Sequence, residues 1–401
     1  MKKKCLICNT ANLTKVLDLG QNPLCDDLIK LNSKKNNRLY KIQISICKNC
    51  FTAFQDFEVN KKKLFPKNYH YRARFTKDVL DGFVDIKKLS TKILKKLNNK
   101  NIVDIGCNDG SLLNLFKKNK ANTIGIEPTD ASKDAKKNGH DIYSEYFEKK
   151  TVNKIVKKYK KIDLVIFTNV FAHIENFNSL ISNLKKLISE DTYLIIENHY
   201  LGSVIDKNQF DTFYHEHPRT YSATSFIYIA KKLDMKIEEI QFPKRYGGNI
   251  RVIMNRKKGI KNFNFVKKKE KNFFKDLFKM QNNIEIWKTK KKKLIHQLNK
   301  TYGLIAAKAF PGRSAILIKL LDLDHKKIEA VYEKPGSMKI GNFVPSTRIP
   351  IKSDNELFKN ITKQKIILNL AWHISGEIKS YLKKNNFKGK IINILEQKDF
   401  I

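Results

Sequence analysis

Four cysteines near the N-terminus are spaced as two pairs that can share one metal ion. Cys5 and Cys8 form the first C-x-x-C pair, and Cys47 and Cys50 form the second. Each pair offers two thiolates, and four thiolates around one tetrahedral ion make a zinc site with no open coordination position. The spacing therefore predicts a structural zinc ion and not a catalytic one. The alternative interpretation is that these are four ordinary buried cysteines.

A second group of chemically useful side chains is the run Tyr214-His215-Glu216-His217. Histidine acts as a base or an acid near neutral pH, and a carboxylate or a phenol can orient it or hold a polar group of a substrate. The spacing is too short for the H-E-x-x-H pattern of zinc proteases, so no second metal is predicted. For one histidine alone, a hydrogen-bonded loop residue is the simpler interpretation. The clustering of all four residues favours a catalytic site.

A glycine-containing turn after a buried strand predicts a nucleotide site. The strand-like run 101–106 ends in a turn with Gly106 and Gly110, which permit a tight bend and a close approach of ligand to backbone. Asn108 stands at the middle position of the dinucleotide fingerprint, so G-x-G-x-x-G is missing. The next strand ends in Glu127, whose carboxylate can accept hydrogen bonds from both ribose hydroxyls. A Rossmann-like dehydrogenase or a kinase relative is the alternative.

The elements that must position these groups alternate between strands and helices. A helix with apolar residues at helical spacing is predicted at 75–97, and strand and helix signals then alternate, which predicts a parallel, doubly wound sheet. After a lysine-rich helical stretch, strand signals return at Ala315–Leu321, Ile328–Tyr332, Lys365–Leu370 and Lys390–Leu395. We therefore expect an α/β protein with three domains. They are residues 1–65, residues 66–255, and residues 256–401, the last with a helical bridge and a second α/β unit.

The turn and the acidic residue together resemble cofactor motifs of the class I S-adenosylmethionine methyltransferases. The stretch Asp104–Gly110 matches their first motif, and Glu127 matches the acidic residue that binds the ribose. The resemblance implies a Rossmann-like core with S-adenosylmethionine as cofactor. The segment after the fourth strand is where that fold lines the methionine portion. The cofactor-binding residues implied in this way are Asp104, Gly106, Asn108, Asp109, Gly110, Glu127 and Asn169.

Further motifs, spread over nearly the whole chain, resemble those of the sugar C-methyltransferases. This family acts on nucleotide-linked keto-deoxysugars used for antibiotics and surface polysaccharides. The resemblance implies a small N-terminal zinc-binding domain, a Rossmann-like class I methyltransferase core and a second Rossmann-like α/β domain at the C-terminus. The motifs that carry it are the two cysteine pairs, Asn22–Leu24, Val170–His173, Gln209–His217, Gly247–Val252 and Gly341–Pro350.

The same resemblance implies which side chains face the sugar. In that family they are the tyrosine, the glutamate and the second histidine of the Tyr-His-Glu-His run, a histidine after the fourth strand, and a tyrosine just before the core. That last tyrosine is Tyr69 or Tyr71 here, and Tyr71 is the preferred assignment. The implied set is Tyr214, Glu216, His217, His173 and Tyr71.

Methyl transfer to carbon gives each of these groups a task. Carbon becomes a nucleophile when a base removes a proton beside a ketone and a donor stabilises the enolate oxygen. We expect His217 to be the base, because histidine has an ordinary pKa near neutrality, and Glu216 to orient it. Tyr214, Tyr71 and His173 are expected to hold the enolate oxygen or neighbouring hydroxyl groups.

The formal net charge of +41 does not by itself predict a nucleic-acid partner. The basic residues are overwhelmingly lysines spread through every segment, whereas arginine usually makes the bidentate contacts with phosphates and bases. We therefore expect a nucleotide-linked sugar as the partner and no nucleic acid. Arg313 or Arg348 is either a contact to the sugar's diphosphate or a structural residue. A methyltransferase acting on RNA or another macromolecule is the chief alternative, and a non-catalytic scaffold is a second.

Nothing in the sequence predicts attachment to a membrane. The chain has no run of about 18 consecutive apolar residues, and no apolar signal region follows the basic start Met1–Lys4. We expect a cytoplasmic protein without a membrane partner, and a monomer in preference to an oligomer.

Overall fold

The N-terminal region is built on a four-stranded antiparallel sheet in the computed structural model, which describes residues 4–69 and 71–400. Its strands, in spatial order, are Leu13–Pro23 (β1), Leu39–Cys47 (β3), Ala53–Gln55 (β4) and Arg219–Thr220 (β10). Every second residue of β3 from Ile42 to Ile46 is a fully buried isoleucine, which anchors the strand in the core. Because β10 follows the histidine-containing run, a distant part of the chain completes this sheet.

The central region contains a seven-stranded sheet. Its strands, in chain order, are Asn101–Ile105 (β5), Asn122–Ile126 (β6), Asp141–Tyr143 (β7), Leu164–Thr168 (β8), Tyr193–His199 (β9), Lys236–Gln241 (β11) and Asn249–Asn255 (β12). The spatial order is β11-β12-β9-β8-β5-β6-β7, and only β12 runs against the common direction. The chain order reverses between β5 and β8, and doubly wound sheets bind ligands at such a point, beyond the carboxyl ends of the strands.

Helices cover this sheet. They are Lys77–Leu94 (α2), Ser111–Lys117 (α3), Ala131–Lys137 (α4), Lys149–Lys158 (α5), Phe177–Leu187 (α6), Leu201–Asp206 (α7) and Ala223–Lys232 (α8), and the short helix Lys61–Leu64 (α1) precedes them. The structure confirms the helix predicted at 75–97 as α2. Its buried residues Val79, Phe83 and Ile86 recur at helical spacing, so one face packs against the sheet.

The C-terminal region begins with the helices Asn264–Glu270 (α9) and Phe273–Tyr302 (α10). A five-stranded parallel sheet follows. Its strands, in spatial order, are Ile351–Ser353 (β16), Ile328–Glu333 (β14), Ile305–Lys308 (β13), Ile366–Asn369 (β17) and Lys390–Asn393 (β18). The accompanying helices are Ser314–Leu320 (α11), Asp354–Lys359 (α12) and Ser375–Lys384 (α13).

One strand prediction in this region is wrong. The run Ala315–Leu321 was expected to be a strand, but it lies almost entirely in α11, and the strand is β13, about ten residues earlier. Most of α11 is buried, from Ser314 to Ile318, so its apolar residues show no helical periodicity. A short, fully buried apolar run reads the same in a helix and in a strand, and periodicity cannot separate them.

The three regions are joined by paired strands and share one continuous apolar core. The two-residue strand Ile29–Lys30 (β2) pairs with Asn342–Phe343 (β15), which ties the N-terminal region to the C-terminal one. The pairing of β4 with β10 ties it to the central region. Within the described ranges, no helix is both long enough and apolar enough to cross a membrane.

Candidate active site and zinc site

The four paired cysteines meet at one point. The Sγ atoms of Cys5 and Cys50 are 3.5 Å apart, as are those of Cys8 and Cys47, and all four lie within 4.8 Å of one another. Four sulfurs at about 2.3 Å from a tetrahedral zinc ion are about 3.8 Å apart, so this cluster has the size that zinc requires. Hydrogen bonds among the sulfurs, together with burial, raise the pKa of Cys5 and Cys50, whereas the same hydrogen bonds lower the pKa of Cys47. A bound cation would offset this cost of forming thiolates, so the residues fit a structural zinc ion.

The zinc cluster is connected to residues 209–217, which we call the histidine loop. The Ser222 hydroxyl, just after the loop, donates to the backbone oxygen of Cys50 at 2.7 Å. On β4, the Gln55 side-chain amide donates to the backbone oxygen of Tyr214 at 2.6 Å and to that of His217 at 3.3 Å. The region that holds the metal therefore also holds the backbone of the loop.

The glycine turn after β5 has the geometry of a cofactor cradle. Gly106 has φ +74°, and a Cβ atom there would lie 2.4 Å from a methyl carbon of Val170, so only glycine fits. At the end of β6 the Glu127 carboxylate accepts hydrogen bonds from the backbone N–H of Asn108 at 3.2 Å and of Thr129 at 2.9 Å. These contacts fix the carboxylate beside the turn, where the hydroxyls of a ribose would meet it.

A cavity of about 610 Å³ lies at the carboxyl ends of the central strands. This volume is in the range of small-molecule and cofactor sites. The predicted residues that line it are Asp104, Gly106, Asn108, Glu127, Asn169, His173, Tyr69, Tyr71, Tyr214, Glu216 and His217. The structure therefore brings the cofactor motif and the histidine loop to one space.

Two of the predicted cofactor residues, Asp109 and Gly110, do not line the cavity. The Asp109 carboxylate accepts a hydrogen bond from the Arg74 backbone N–H at 3.0 Å and bonds from the N–H and hydroxyl of Ser111 at 3.1 and 2.6 Å. Asp109 thus fastens the segment before α2 to the start of α3. Gly110, with φ +79°, immediately precedes α3.

The cofactor half of the cavity contains polar groups that suit a nucleoside with a charged amino-acid tail. Burial and the neighbouring Glu127 raise the pKa of Asp104 to about 8, so this carboxyl can donate a hydrogen bond near neutral pH. The Thr168 hydroxyl lines the cavity, is buried, and has no hydrogen-bond partner in the described part of the chain. Together with the Gly106 cradle and Glu127, these groups fit S-adenosylmethionine.

In the other half of the cavity, His217 is held in a defined tautomer. Its Nδ1 lies 2.9 Å from the backbone oxygen of Thr212, which can only accept, so Nδ1 carries the proton. Nε2 therefore has a free lone pair, and it forms no hydrogen bond within residues 4–69 or 71–400. The rings of Tyr214, His173 and His199 surround it, with centroids 4.3, 4.9 and 5.3 Å from that of His217. Burial, with His173 and His199, lowers the pKa of His217 well below its ordinary value.

Glu216 does not orient His217, contrary to the prediction. No hydrogen bond joins the two residues, and the Thr212 backbone oxygen orients the imidazole instead. The Glu216 carboxyl turns toward the N-terminal region, where it accepts a hydrogen bond from the Tyr69 hydroxyl at 3.2 Å. Burial and the nearby Asp26 raise the pKa of Glu216 well above its ordinary value.

The two candidate tyrosines before the core take different partners. Both line the cavity, but Tyr69 contacts Glu216, whereas the hydroxyl of the more exposed Tyr71 lies 3.2 Å from that of Tyr246. The remaining residue of the Tyr-His-Glu-His run, His215, points away toward the backbone oxygen of Tyr40 at 3.1 Å.

The sequence reasoning missed His199 and Tyr246, which also line the cavity. His199 is the last residue of β9, so its place at the carboxyl end of a central strand is a signal that could have identified it. Tyr246 has φ +53° in the turn before β12, and no sequence pattern marks it.

Arg313 and Arg348 are both engaged by protein groups. Arg313 forms a buried ion pair with Asp211 of the histidine loop, with N–O distances of 2.8 and 2.6 Å. Arg348 donates to the backbone oxygen of Ser33 at 2.9 Å in the N-terminal region. In this structure both arginines are therefore engaged by protein groups, as a structural residue would be.

Comparison with known proteins matches this architecture. Models of three protein families match consecutive segments: a zinc binding domain at residues 5–65, a methyltransferase domain at 71–240, and a C-methyltransferase C-terminal domain at 244–395. The C-methyltransferase NovU of Streptomyces niveus is 20% identical over 396 residues, which cover 94% of this chain and 91% of that protein.

Solved methyltransferase structures are similar to part of the chain. The magnesium protoporphyrin IX methyltransferase of Synechocystis PCC 6803 is 14% identical, with a TM-score of 0.35, over 45% of this chain and 80% of its own. A SAM-dependent methyltransferase from Archaeoglobus fulgidus is 15% identical, with a TM-score of 0.32, over 43% of this chain and 93% of its own.

The family matches and the site define the class of the protein: it is an S-adenosylmethionine-dependent methyltransferase that also binds zinc. All three models match in order along the chain, and NovU, which is similar over 91% of its length, is a C-methyltransferase. The chain therefore has the three-domain organisation of the C-methyltransferases.

Proposed function

We propose that the protein transfers a methyl group to a carbon atom of a nucleotide-linked keto-deoxysugar, with His217 as the base. The observation that carries the proposal is the tautomer of His217, which leaves Nε2 unprotonated on a residue that lines the same cavity as the cofactor motif. The resemblance of the histidine loop to that of the sugar C-methyltransferases supports the substrate class.

The chemistry needs a carbon nucleophile. Nε2 of His217 takes the proton from the carbon beside the ketone, and the electrons of that C–H bond move into an enolate. S-adenosylmethionine, held beside Gly106 and Glu127, would supply the electrophilic methyl group for the enolate carbon, with the sulfur as leaving group. His217 then carries the proton as an imidazolium until it is released.

Burial tunes the base for this step. Because the pKa values of His217 and His173 are lowered, the latter to about 4, both imidazoles are neutral at neutral pH. A neutral base can accept the proton, although a lowered pKa makes it a weaker base, so the enolate itself must be stabilised.

Tyr214 is the proposed donor to the enolate oxygen. Its hydroxyl forms no hydrogen bond to any described residue, and its ring lies directly beside that of His217. Burial and Glu216 raise the pKa of Tyr214 well above its ordinary value, so the hydroxyl stays protonated and can donate. One donor directed at the developing charge contributes about 3 kcal/mol to catalysis.

The test is a reaction in deuterated water with S-adenosylmethionine and a panel of thymidine-diphosphate 4-keto-deoxysugars, followed by mass spectrometry and NMR. The wild-type protein is expected to add a carbon-bound methyl group. The His217→Ala variant is expected to lose about 10²- to 10⁴-fold in rate, the usual contribution of a general base.

The matched control is His215→Gln. His215 is in the same loop but faces Tyr40 and not the cavity, and glutamine can still donate to the Tyr40 oxygen. If deuterium from the solvent enters a sugar but no methyl group is added, the protein enolises that sugar, but the sugar is not the methyl acceptor. Measurable cofactor binding with neither exchange nor methylation on any sugar would refute the substrate class.

A further inference from the structure

A buried ion pair joins the C-terminal region to the histidine loop. The two carboxylate oxygens of Asp211 accept hydrogen bonds from Nε and Nη2 of Arg313, at 2.8 and 2.6 Å. The indole N–H of Trp372 donates to the same carboxylate at 2.9 Å. Asp211 is fully buried and Arg313 is nearly so, and this bidentate geometry is the strongest form of such a pair.

The contact extends to the residue that sets the tautomer of the proposed base. Nη2 of Arg313 also donates to the Thr212 hydroxyl at 2.8 Å. The backbone oxygen of Thr212 accepts the Nδ1 proton of His217 at 2.9 Å. One guanidinium group thus holds both Asp211 and Thr212, and Thr212 in turn holds the imidazole.

We propose that Arg313 is a positioning residue, through which the C-terminal region keeps His217 as the Nδ1–H tautomer with Nε2 open to the substrate. This inference rests on the proposed function, in which Nε2 removes the proton. Arg313 does not line the cavity, so it acts through the loop residues that it holds, chiefly Asp211 and Thr212.

The physical reason is that the tautomer of a histidine follows the hydrogen bond that its other nitrogen makes. If the Thr212 peptide is free to turn, Nδ1 loses its acceptor, and the proton can occupy Nε2, where it blocks the base. Arg313 also carries a positive charge close enough to lower the pKa of His217, which keeps the ring neutral.

The test uses a double variant, Asp211→Asn with Arg313→Gln, in the full-length zinc-loaded protein. Both changes are needed, because a single one would leave a buried unpaired charge and risk unfolding the chain. The matched control is Lys308→Met with Asp354→Asn, another fully buried ion pair of the C-terminal region that does not contact the loop.

The first readout is the ¹⁵N NMR spectrum of the histidine side chains, with His217 assigned from a His217→Gln sample. The wild type and the Lys308/Asp354 variant are expected to show His217 as the Nδ1–H tautomer, and the Asp211/Arg313 variant a mixture with Nε2–H. Retention of the Nδ1–H tautomer in the Asp211/Arg313 variant would overturn the inference.

The second readout separates positioning from stability. In the Asp211/Arg313 variant, kcat should fall by about 10- to 100-fold, the cost of misplacing a catalytic group from a distance, while the affinity for S-adenosylhomocysteine stays unchanged. An equal fall of kcat in the control would overturn the inference. A wild-type protein that shows the Nδ1–H tautomer but methylates no keto-sugar would overturn the proposed function and not the positioning by Arg313.

Discussion

The two halves of the cavity are built in different ways. The cofactor half comes from the ends of three neighbouring strands of one sheet: the turn at Gly106 after β5, Glu127 at the end of β6, and Asn169 after β8. The histidine half depends on a loop whose carbonyls are held by Gln55 of the N-terminal region and whose carboxylate is held by Arg313 of the C-terminal region.

The difference shows what each region contributes. The cofactor half needs only the central region, because its groups follow strands of one sheet and their hydrogen-bond partners lie in the same region. The histidine half needs all three regions, because neither Gln55 nor Arg313 belongs to the central sheet. Damage to either outer region should therefore stop the reaction of the substrate before it weakens the binding of the cofactor.

Loss of zinc is the most severe way to test this difference. We expect Cys50→Ser to abolish zinc binding and to reduce methyl transfer to the level of the enzyme-free control, because Cys50 supports the loop through Ser222. Calorimetric affinity for S-adenosylhomocysteine should stay within about three-fold of the wild type, as distant sites usually behave independently. Cys25→Ser, a buried cysteine of the N-terminal region that belongs neither to the zinc cluster nor to the cavity, is the control. An equal loss of cofactor affinity in Cys50→Ser would show that the halves are not independent.

Removal of the Glu127 carboxylate in the cofactor half should weaken cofactor binding, which the loss of zinc should leave nearly unchanged. We expect Glu127→Gln to weaken binding of S-adenosylhomocysteine by about 10- to 150-fold, because hydrogen bonds to a charged group contribute about 1.5–3 kcal/mol. Asp109→Asn is the matched comparison, since Asp109 is in the same motif but outside the cavity. If Asp109→Asn weakened binding as much as Glu127→Gln, the placement of Asp109 outside the site would be wrong.

Substitution of the two tyrosines before α2 should reduce kcat by less than the loss of zinc does. We expect Tyr69→Phe to lower kcat by up to about ten-fold, because it removes one neutral hydrogen bond from Glu216. Tyr71→Phe removes hydroxyl contacts with Tyr246 and Thr76, neither of which belongs to the histidine loop, and should cost less. Steady-state kinetics of both variants decide which tyrosine serves the substrate, and a larger loss in Tyr71→Phe would restore the assignment preferred from the sequence.

The smallest expected change is that of kcat/KM with pH. The base must be neutral, and the pKa of His217 is lowered, so kcat/KM should not fall when the pH is reduced from 8 to 6. An unperturbed histidine with a pKa of about 6.5 would be mostly protonated at pH 6, and the rate would fall by about four-fold. A fall of that size, absent from a cofactor-binding titration over the same range, would show that His217 is not desolvated as the structure indicates.

The predictability of the site follows the same division between the two halves. The turn at 106–110 and Glu127 could be recognised because a local pattern of residues builds the cofactor half. The histidine loop was recognisable from its cluster of reactive side chains. The orientation of the His217 ring could not be predicted, because it is set by a hydrogen bond to the Thr212 backbone oxygen. Every residue has such an oxygen, so the sequence does not indicate which one accepts the bond.

The fold shows a similar limit. Four strands of the central sheet, β5, β6, β8 and β9, could be predicted because their short apolar runs alternate with helical segments, and α2 could be predicted from its helical spacing. The strands β7, β11 and β12 were not predicted. The helix α11 could not be predicted, because it is buried on nearly all sides. The ion pair between Asp211 and Arg313 could not be predicted either, because the two residues are 102 positions apart and no sequence motif contains both.

The pairing of β2 with β15 has a consequence for how the protein is made. The strand β2 cannot form its pairing until residues 342–343 have been synthesised, and a hydrogen bond from the Ser346 N–H to the Asn37 side chain spans 309 positions. Contacts of this span close late during folding. Until then, strand edges of the N-terminal region stay unpaired, and unpaired edges bind chaperones or pair with other chains. Efficient production of the enzyme in a cell should therefore depend on chaperone supply and on the rate of translation.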